Sequence, residues 1–177
     1  RVRDEKGRVS AWSPLQTWST GIVQTQEWKA SWIGSDEQYD TQAPDNNVND
    51  PWFRKDFDLK QQPAQAYMHV ASVGYHELYI NGQKIGEDVL APGVSDHTKR
   101  ARYVTYNIAS FLKKGKNTVG LWLGASWAIY PPYILEPDRP LTPIVSAQVA
   151  IYHQSPSSGT QTPDLFLITD GSWKTHA

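Results

Sequence analysis

The stretch Glu77-Leu78-Tyr79-Ile80-Asn81-Gly82-Gln83-Lys84-Ile85 places apolar Leu78 and Ile80 before an Asn-Gly pair and apolar Ile85 after it. Asn-Gly is the pair a two-residue type I′ turn selects, because both central positions take φ > 0, and the flanking alternation marks strands with one buried face. The reading is an antiparallel hairpin. Outward from it, the same period of two recurs in Tyr67-Met68-His69-Val70-Ala71-Ser72-Val73, Thr118-Val119-Gly120-Leu121-Trp122-Leu123, Ser146-Ala147-Gln148-Val149-Ala150-Ile151-Tyr152 and Leu165-Phe166-Leu167-Ile168. Only Ile108-Ala109-Ser110-Phe111-Leu112-Lys113 predicts one or two helical turns. Short strands cut by turns, with very little helix, predict an all-β fold, an antiparallel β-sandwich or jelly roll.

A chain of 177 residues corresponds to one domain and part of another. Its apolar content of 39%, with 8 Trp, 9 Tyr and 4 Phe, is enough to bury a core and argues against disorder of the whole chain. The formal charge of -1 supplies no overall field for nucleic acid or an anionic membrane, so a neutral partner is expected. No apolar run approaches the roughly 18 residues of a membrane-spanning helix. Arg1-Val2-Arg3-Asp4 does not open like a signal peptide, so any targeting segment would lie upstream. With no Cys, disulfides, thiolate nucleophiles and Cys-ligated metals are excluded, while the compartment stays undetermined.

Two stretches break the alternation. Ser35 to Pro51 is rich in Asp and Asn, and Tyr130 to Pro143 holds five of the 12 prolines, so both are expected to be long loops. Both ends read as cut: Arg1 to Pro14 resembles the last hairpin of a small β domain, and Trp173 to Ala177 stops where a strand has begun.

Catalytic constellations are not found. The sequence has no Gly-x-Ser-x-Gly, no Gly-x-x-x-x-Gly-Lys, no Gly-x-Gly-x-x-Gly and no His-Glu-x-x-His, and its five histidines are scattered singly. Acidic pairs such as Asp36-Glu37 and Glu87-Asp88 are sequence neighbours, which a strand sends to opposite faces. Asp45-Asn46-Asn47-Val48-Asn49-Asp50 is the densest set of oxygen ligands. Its spacing imitates an EF-hand loop but lacks the Gly at position six and the flanking helices. Asp45, Asn46, Asn47 and Asp50 are therefore candidate Ca²⁺ ligands by composition, against the simpler reading of a solvated, turn-rich loop. No cofactor is required, and Ca²⁺ is the one this loop could take. Trp127, Tyr130 and Tyr133 form a candidate sugar-stacking platform, since flat aromatic faces pack on the C–H surface of a pyranose. Their alternative is packing against the loop's own prolines or a neighbouring domain.

A resemblance then emerges. Val104-Thr105-Tyr106-Asn107-Ile108, followed by Leu112-Lys113-Lys114-Gly115-Lys116-Asn117-Thr118-Val119-Gly120-Leu121, resembles the galactose-binding-like jelly rolls attached to many glycoside hydrolases. The hairpin with Leu90-Ala91-Pro92-Gly93, Lys99-Arg100, Tyr103-Val104-Thr105-Tyr106 and Leu123-Gly124-Ala125-Ser126-Trp127 is similar to the N-terminal β-sandwich of bacterial α-L-rhamnosidases. Trp28-Lys29-Ala30-Ser31-Trp32-Ile33-Gly34 resembles the segment leading into that domain, and Trp52-Phe53-Arg54-Lys55-Asp56-Phe57 resembles its first strand. This likeness implies three parts: the tail of a fibronectin type III-like domain over 1–20, a linker leading into the sandwich over 21–50, and a sandwich, incomplete at its C-terminus, over 51–177.

The resemblance also implies a parent enzyme that hydrolyses terminal α-L-rhamnosides with inversion. Its acid and base would lie in a downstream (α/α)₆ barrel of the same polypeptide, so no catalytic residue is expected here and the fragment alone would be inactive. The implied partner is a rhamnose-containing glycan, with no nucleic acid and no membrane span, and export to the periplasm or beyond is favoured for the parent. The alternatives are a stand-alone carbohydrate-binding module, a sugar-binding domain of another glycoside hydrolase, and a structural spacer.

Overall fold

The computed structural model describes residues 1–14, 21–36, 50–97, 99–126, 142–154 and 162–176. Ten strands run in chain order as β1 (Ile33–Gly34), β2 (Trp52–Leu59), β3 (Gln65–Val73), β4 (Tyr75–Ile80), β5 (Gln83–Ile85), β6 (Tyr103–Asn107), β7 (Gly115–Gly124), β8 (Ile144–Tyr152), β9 (Leu165–Ile168) and β10 (Lys174–His176). Helix among the described residues is limited to two short 3-10 turns, Thr25–Glu27 and Ala109–Phe111, the second inside the predicted helical stretch. The fold is the expected all-β sandwich.

Two antiparallel five-stranded sheets face each other. One has the order β1-β8-β3-β6, with β9 also pairing to β8, and the other the order β10-β2-β7-β4-β5. Alternation along each strand fills the space between them. The β7 sheet contributes Phe53, Leu78, Ile80, Val119, Leu121 and Leu123, and the β8 sheet Met68, Val70, Val145, Val149 and Ile151, every one at most 2% exposed. Each such side chain contributes roughly 1.5 to 3 kcal/mol through removal from water.

The Asn81-Gly82 turn joins β4 to β5 as expected, with φ of +53° and +82°. Asn81 does more than tolerate the left-handed conformation. Its amide group donates to the Phe111 carbonyl (2.9 Å) and to Asn117 Oδ1 (3.0 Å), and its Oδ1 accepts from the Thr118 N–H (3.0 Å). Asn117, wholly buried, donates in turn to the carbonyls of Lys113 (2.7 Å) and Gly115 (2.9 Å), so a polar side chain enters the core with its hydrogen bonds made.

The outer face of the β8 sheet is covered by the chain itself. Residues 21–31 cross it as a strap anchored on side chains of β8 and β6. Ile22 N–H donates to the Tyr103 hydroxyl (2.8 Å), the Trp28 indole to Ser146 Oγ (2.8 Å), and Lys29 N–H to Gln148 Oε1 (2.8 Å). Gly21, at φ +70°, approaches so closely that a Cβ would stand 2.6 Å from the Tyr103 hydroxyl. Where strap and β9 converge on β8, buried Thr169 accepts from Ala147 N–H (3.0 Å) and donates to the Ser31 carbonyl (2.6 Å). Part of the segment read as a linker is thus built into the sandwich, and β8 is buried on both faces.

Replacing Gly82 by Val puts a β-branched side chain where φ must be positive, at a strain of roughly 1 to 2 kcal/mol. The melting temperature of Gly82→Val is expected to fall by about 2 to 8 °C. An unchanged value would show that the turn does not depend on that conformation.

Candidate functional site

Of the residues singled out from sequence, Asp50 alone is described, and Asp45, Asn46, Asn47, Trp127, Tyr130 and Tyr133 lie outside the described residues. Asp50 is exposed, and its backbone carbonyl accepts a hydrogen bond from the Trp122 indole (3.2 Å). Among the described residues no group of three or more His, Asp or Glu is placed to hold a metal ion.

One arrangement that sequence reading missed has the look of catalytic machinery. His76 Nδ1 lies 2.9 Å from Ser72 Oγ, and His76 Nε2 lies 3.0 Å from the Tyr106 hydroxyl. The proton count decides what it is. Ser72 spends its only hydrogen on the Gly74 carbonyl (2.9 Å), so it accepts from His76 Nδ1–H, leaving Nε2 to accept from Tyr106. A serine nucleophile would need its hydrogen directed at the imidazole. All three side chains are also buried, at 0%, 4% and 8% exposure, beyond the reach of substrate. Burial holds His76 neutral with its pKa down to about 4, and burial first, then the charges of Asp88 and Glu77, pushes Tyr106 up to about 12. This is a satisfied core network.

The surface with chemistry to offer is the outer face of the β7 sheet. Trp52 and Trp122 are directly paired in the β2–β7 ladder, and their rings stack at 5.2 Å with an interplanar angle of 8°. Tyr79 of β4 also packs against Trp52, ring centroids 5.1 Å apart at 49°. Gly120 lies beneath: a Cβ there would touch Trp52 Cζ3 at 3.8 Å, so the indole rests over bare backbone. Despite this stacking Trp52 and Trp122 remain 38% and 37% exposed, which leaves aromatic surface for a ligand.

Polar groups frame the platform. Glu77 is ion-paired with Lys84 and accepts from the Tyr79 hydroxyl (2.7 Å), while Asp56 accepts from Arg54 Nη2 (3.0 Å) and the Thr118 hydroxyl (2.6 Å). The Lys84 hydrogen bond holds the Glu77 carboxyl below its ordinary range, and the Thr118 hydroxyl does the same for Asp56. Both carboxylates stay ionised. Beside the platform opens a concavity of about 800 Å³, lined by Trp52, Arg54, Tyr79, Lys116, Gly120 and Lys174 among others.

The sequence model of the α-L-rhamnosidase N-terminal domain matches residues 61–177. The chain belongs to that family. An α-L-rhamnosidase of Formosa agariphila is 32% identical over 127 residues, covering 70% of this chain and 14% of the relative. One from Alteromonas sp. is 28% identical over 182 residues, covering 98% of this chain and 19% of the relative. Among solved structures, an α-L-rhamnosidase from Dictyoglumus thermophilum matches with a TM-score of 0.75 at 31% identity, over 98% of this chain and 19% of its own. A native enzyme of that name from Aspergillus terreus matches with a TM-score of 0.76 at 26% identity, over 97% of this chain and 20% of its own. This rhamnosidase N-terminal domain thus spans a fifth or less of the length of these relatives.

The buried histidine gives a pH prediction. Unfolded, His76 takes up a proton near its ordinary 6.5, while the folded chain refuses it until about 4. Its contribution is therefore complete above pH 6.5 and is lost as pH falls toward 4, by roughly 3 kcal/mol at full extent. His69, also depressed by burial, acts in the same sense. Stability of His76→Gln, which cannot titrate, is expected to fall less steeply across that window in acid-denaturation melts. A slope equal to that of the parent chain would contradict it.

Proposed function

We propose that this chain is the accessory sandwich of a multidomain enzyme that hydrolyses terminal α-L-rhamnosides with inversion, and that it holds a rhamnose-containing glycan on the Trp52–Trp122–Tyr79 face. In this reading residues 1–20 are the tail of a fibronectin type III-like domain and 21–50 lead into the sandwich. The observation that carries the sugar-binding part is the pair of stacked, one-third-exposed indoles on the solvent face of a sheet. Aromatic surface there has no packing role toward the core, and stacking on the apolar face of a sugar suits it.

Chemistry is assigned to the remainder of the parent. Inversion needs a protonated carboxyl and a second carboxylate roughly 6.5 to 9.5 Å apart, with the acid's pKa raised. Asp56 and Glu77, the carboxylates that frame the platform, are shifted the other way and tied up in ion pairs. Neither can deliver a proton to a leaving oxygen. The resemblance to α-L-rhamnosidases assigns the acid and base to a downstream (α/α)₆ barrel of the parent.

Calorimetric titration of the chain with a rhamnose-containing oligosaccharide, with and without Ca²⁺, tests the reading. Heat of binding is expected in the parent chain and its loss in Trp52→Ala, with no product released from an aryl α-L-rhamnoside by either. Absence of binding would leave the role of spacer. Turnover that persists on repurification and vanishes on substitution of Asp56 or Glu77 would overturn the assignment of chemistry to the barrel.

A further inference from the structure

The lining of the concavity beside the platform gathers basic side chains. Its lining includes Arg54, Lys113, Lys116, Lys174 and His176 and no carboxylate. Topology brings the cations together from distant parts of the chain. Arg54 of β2 and Lys174 of β10 are direct ladder partners, while Lys113 and Lys116 come from the turn into β7 and its first residues. Three acidic residues among those described share this face, Asp56, Asp58 and Glu77, and they leave three of its lysines outside any ion pair. Asp56 and Arg54 neutralise one another in an ion pair, Glu77 pairs with Lys84, and Asp58, the ladder neighbour of Lys116, makes no ion pair with it. Lys113, Lys116 and Lys174 have no ion-pair partner among the described residues.

Lysine and arginine offer donors and no acceptors. A neutral sugar presents hydroxyls that both donate and accept, so a wall of this kind matches only half of what such a ligand offers. The carboxylate or sulfate of an acidic sugar presents acceptor oxygens alone, and charge-assisted hydrogen bonds to it are shorter and stronger than neutral ones. Aromatic floor and cationic wall adjoin through Trp52 and Arg54, two residues apart on one face of β2. Consecutive residues of one glycan could therefore occupy both. We propose that this face takes an acidic glycan, one residue stacking on Trp52 and Trp122 while the carboxylate or sulfate of a neighbour lies among the unpaired Lys113, Lys116 and Lys174. The inference rests on the glycan-binding reading above and narrows its ligand, against the neutral partner expected from net charge.

The test compares three probes on the 177-residue chain: an oligosaccharide alternating rhamnose and galacturonic acid, its carboxyl-reduced counterpart, and a sulfated rhamnan fragment. Affinities are measured at about 50 mM and about 200 mM salt, a range over which screening of surface charges changes appreciably. The uronate or the sulfated probe is expected to bind at least about tenfold more tightly than the neutral one at low salt, with the gap narrowing at high salt. Which of the two is preferred identifies the anionic group. The double variant Lys116→Gln, Lys174→Gln, at exposed positions, is expected to lose the preference while binding the carboxyl-reduced probe as the parent does. Trp52→Ala should weaken all three. Equal affinity of neutral and acidic probes, or a preference untouched by the double variant, would overturn the inference while leaving the glycan reading intact. Failure of every probe to bind would overturn both.

Discussion

Burial of a single apolar layer between two sheets determines the sandwich and also what it shows to solvent. Successive residues of a strand point to opposite faces, so once Phe53, Leu78, Leu121 and Leu123 enter the core, Trp52, Tyr79, Gly120 and Trp122 must face outward. A slip of one residue in the β2–β7 register would exchange the two sets. The eight-residue ladder between those strands, and the Asn81 side chain tying the hairpin to β7, oppose such a slip. The aromatic face is therefore a geometric consequence of the core.

The two outer faces have different fates. On the β8 sheet, Ser146, Gln148 and Thr169 use their polar atoms to bind strap backbone, and Trp28 packs on Tyr103 at 5.5 Å, so that face is closed by its own chain. No described segment crosses the β7 sheet in this way. Its indoles stay partly wet, and its charged groups line an open concavity.

Legibility in the sequence followed the range of the interactions. The cores of β3, β4, β5, β7, β8 and β9 and the Asn81-Gly82 turn could be read because alternation and turn chemistry are local signals. The strap could not: Trp28 and Ser146 lie 118 positions apart, and nothing in either neighbourhood announces the bond between them. The same holds for Ser72, His76 and Tyr106, which come from β3, β4 and β6 and meet only in the folded sandwich. Trp127, Tyr130 and Tyr133 are candidates because they crowd together in sequence, whereas Trp52, Tyr79 and Trp122 meet only through strand pairing. One signal for them was available. Trp122 sits between Leu121 and Leu123, and Trp52 precedes Phe53, so alternation puts each large aromatic in the solvent phase of its strand.

Mapping the ligand's position is the most direct test of the glycan-binding account. In ¹H–¹⁵N spectra of the chain titrated with a rhamnose-containing oligosaccharide, the indole N–H signals of Trp52 and Trp122 and the backbone signals of Thr118 and Gly120 are predicted to shift together with a common affinity. The indoles of Trp28 and Trp173, bonded to Ser146 and to the Ile168 carbonyl, should stay in place. Shifts concentrated on the strap and the β8 sheet, with Trp52 and Trp122 unmoved, would contradict the account.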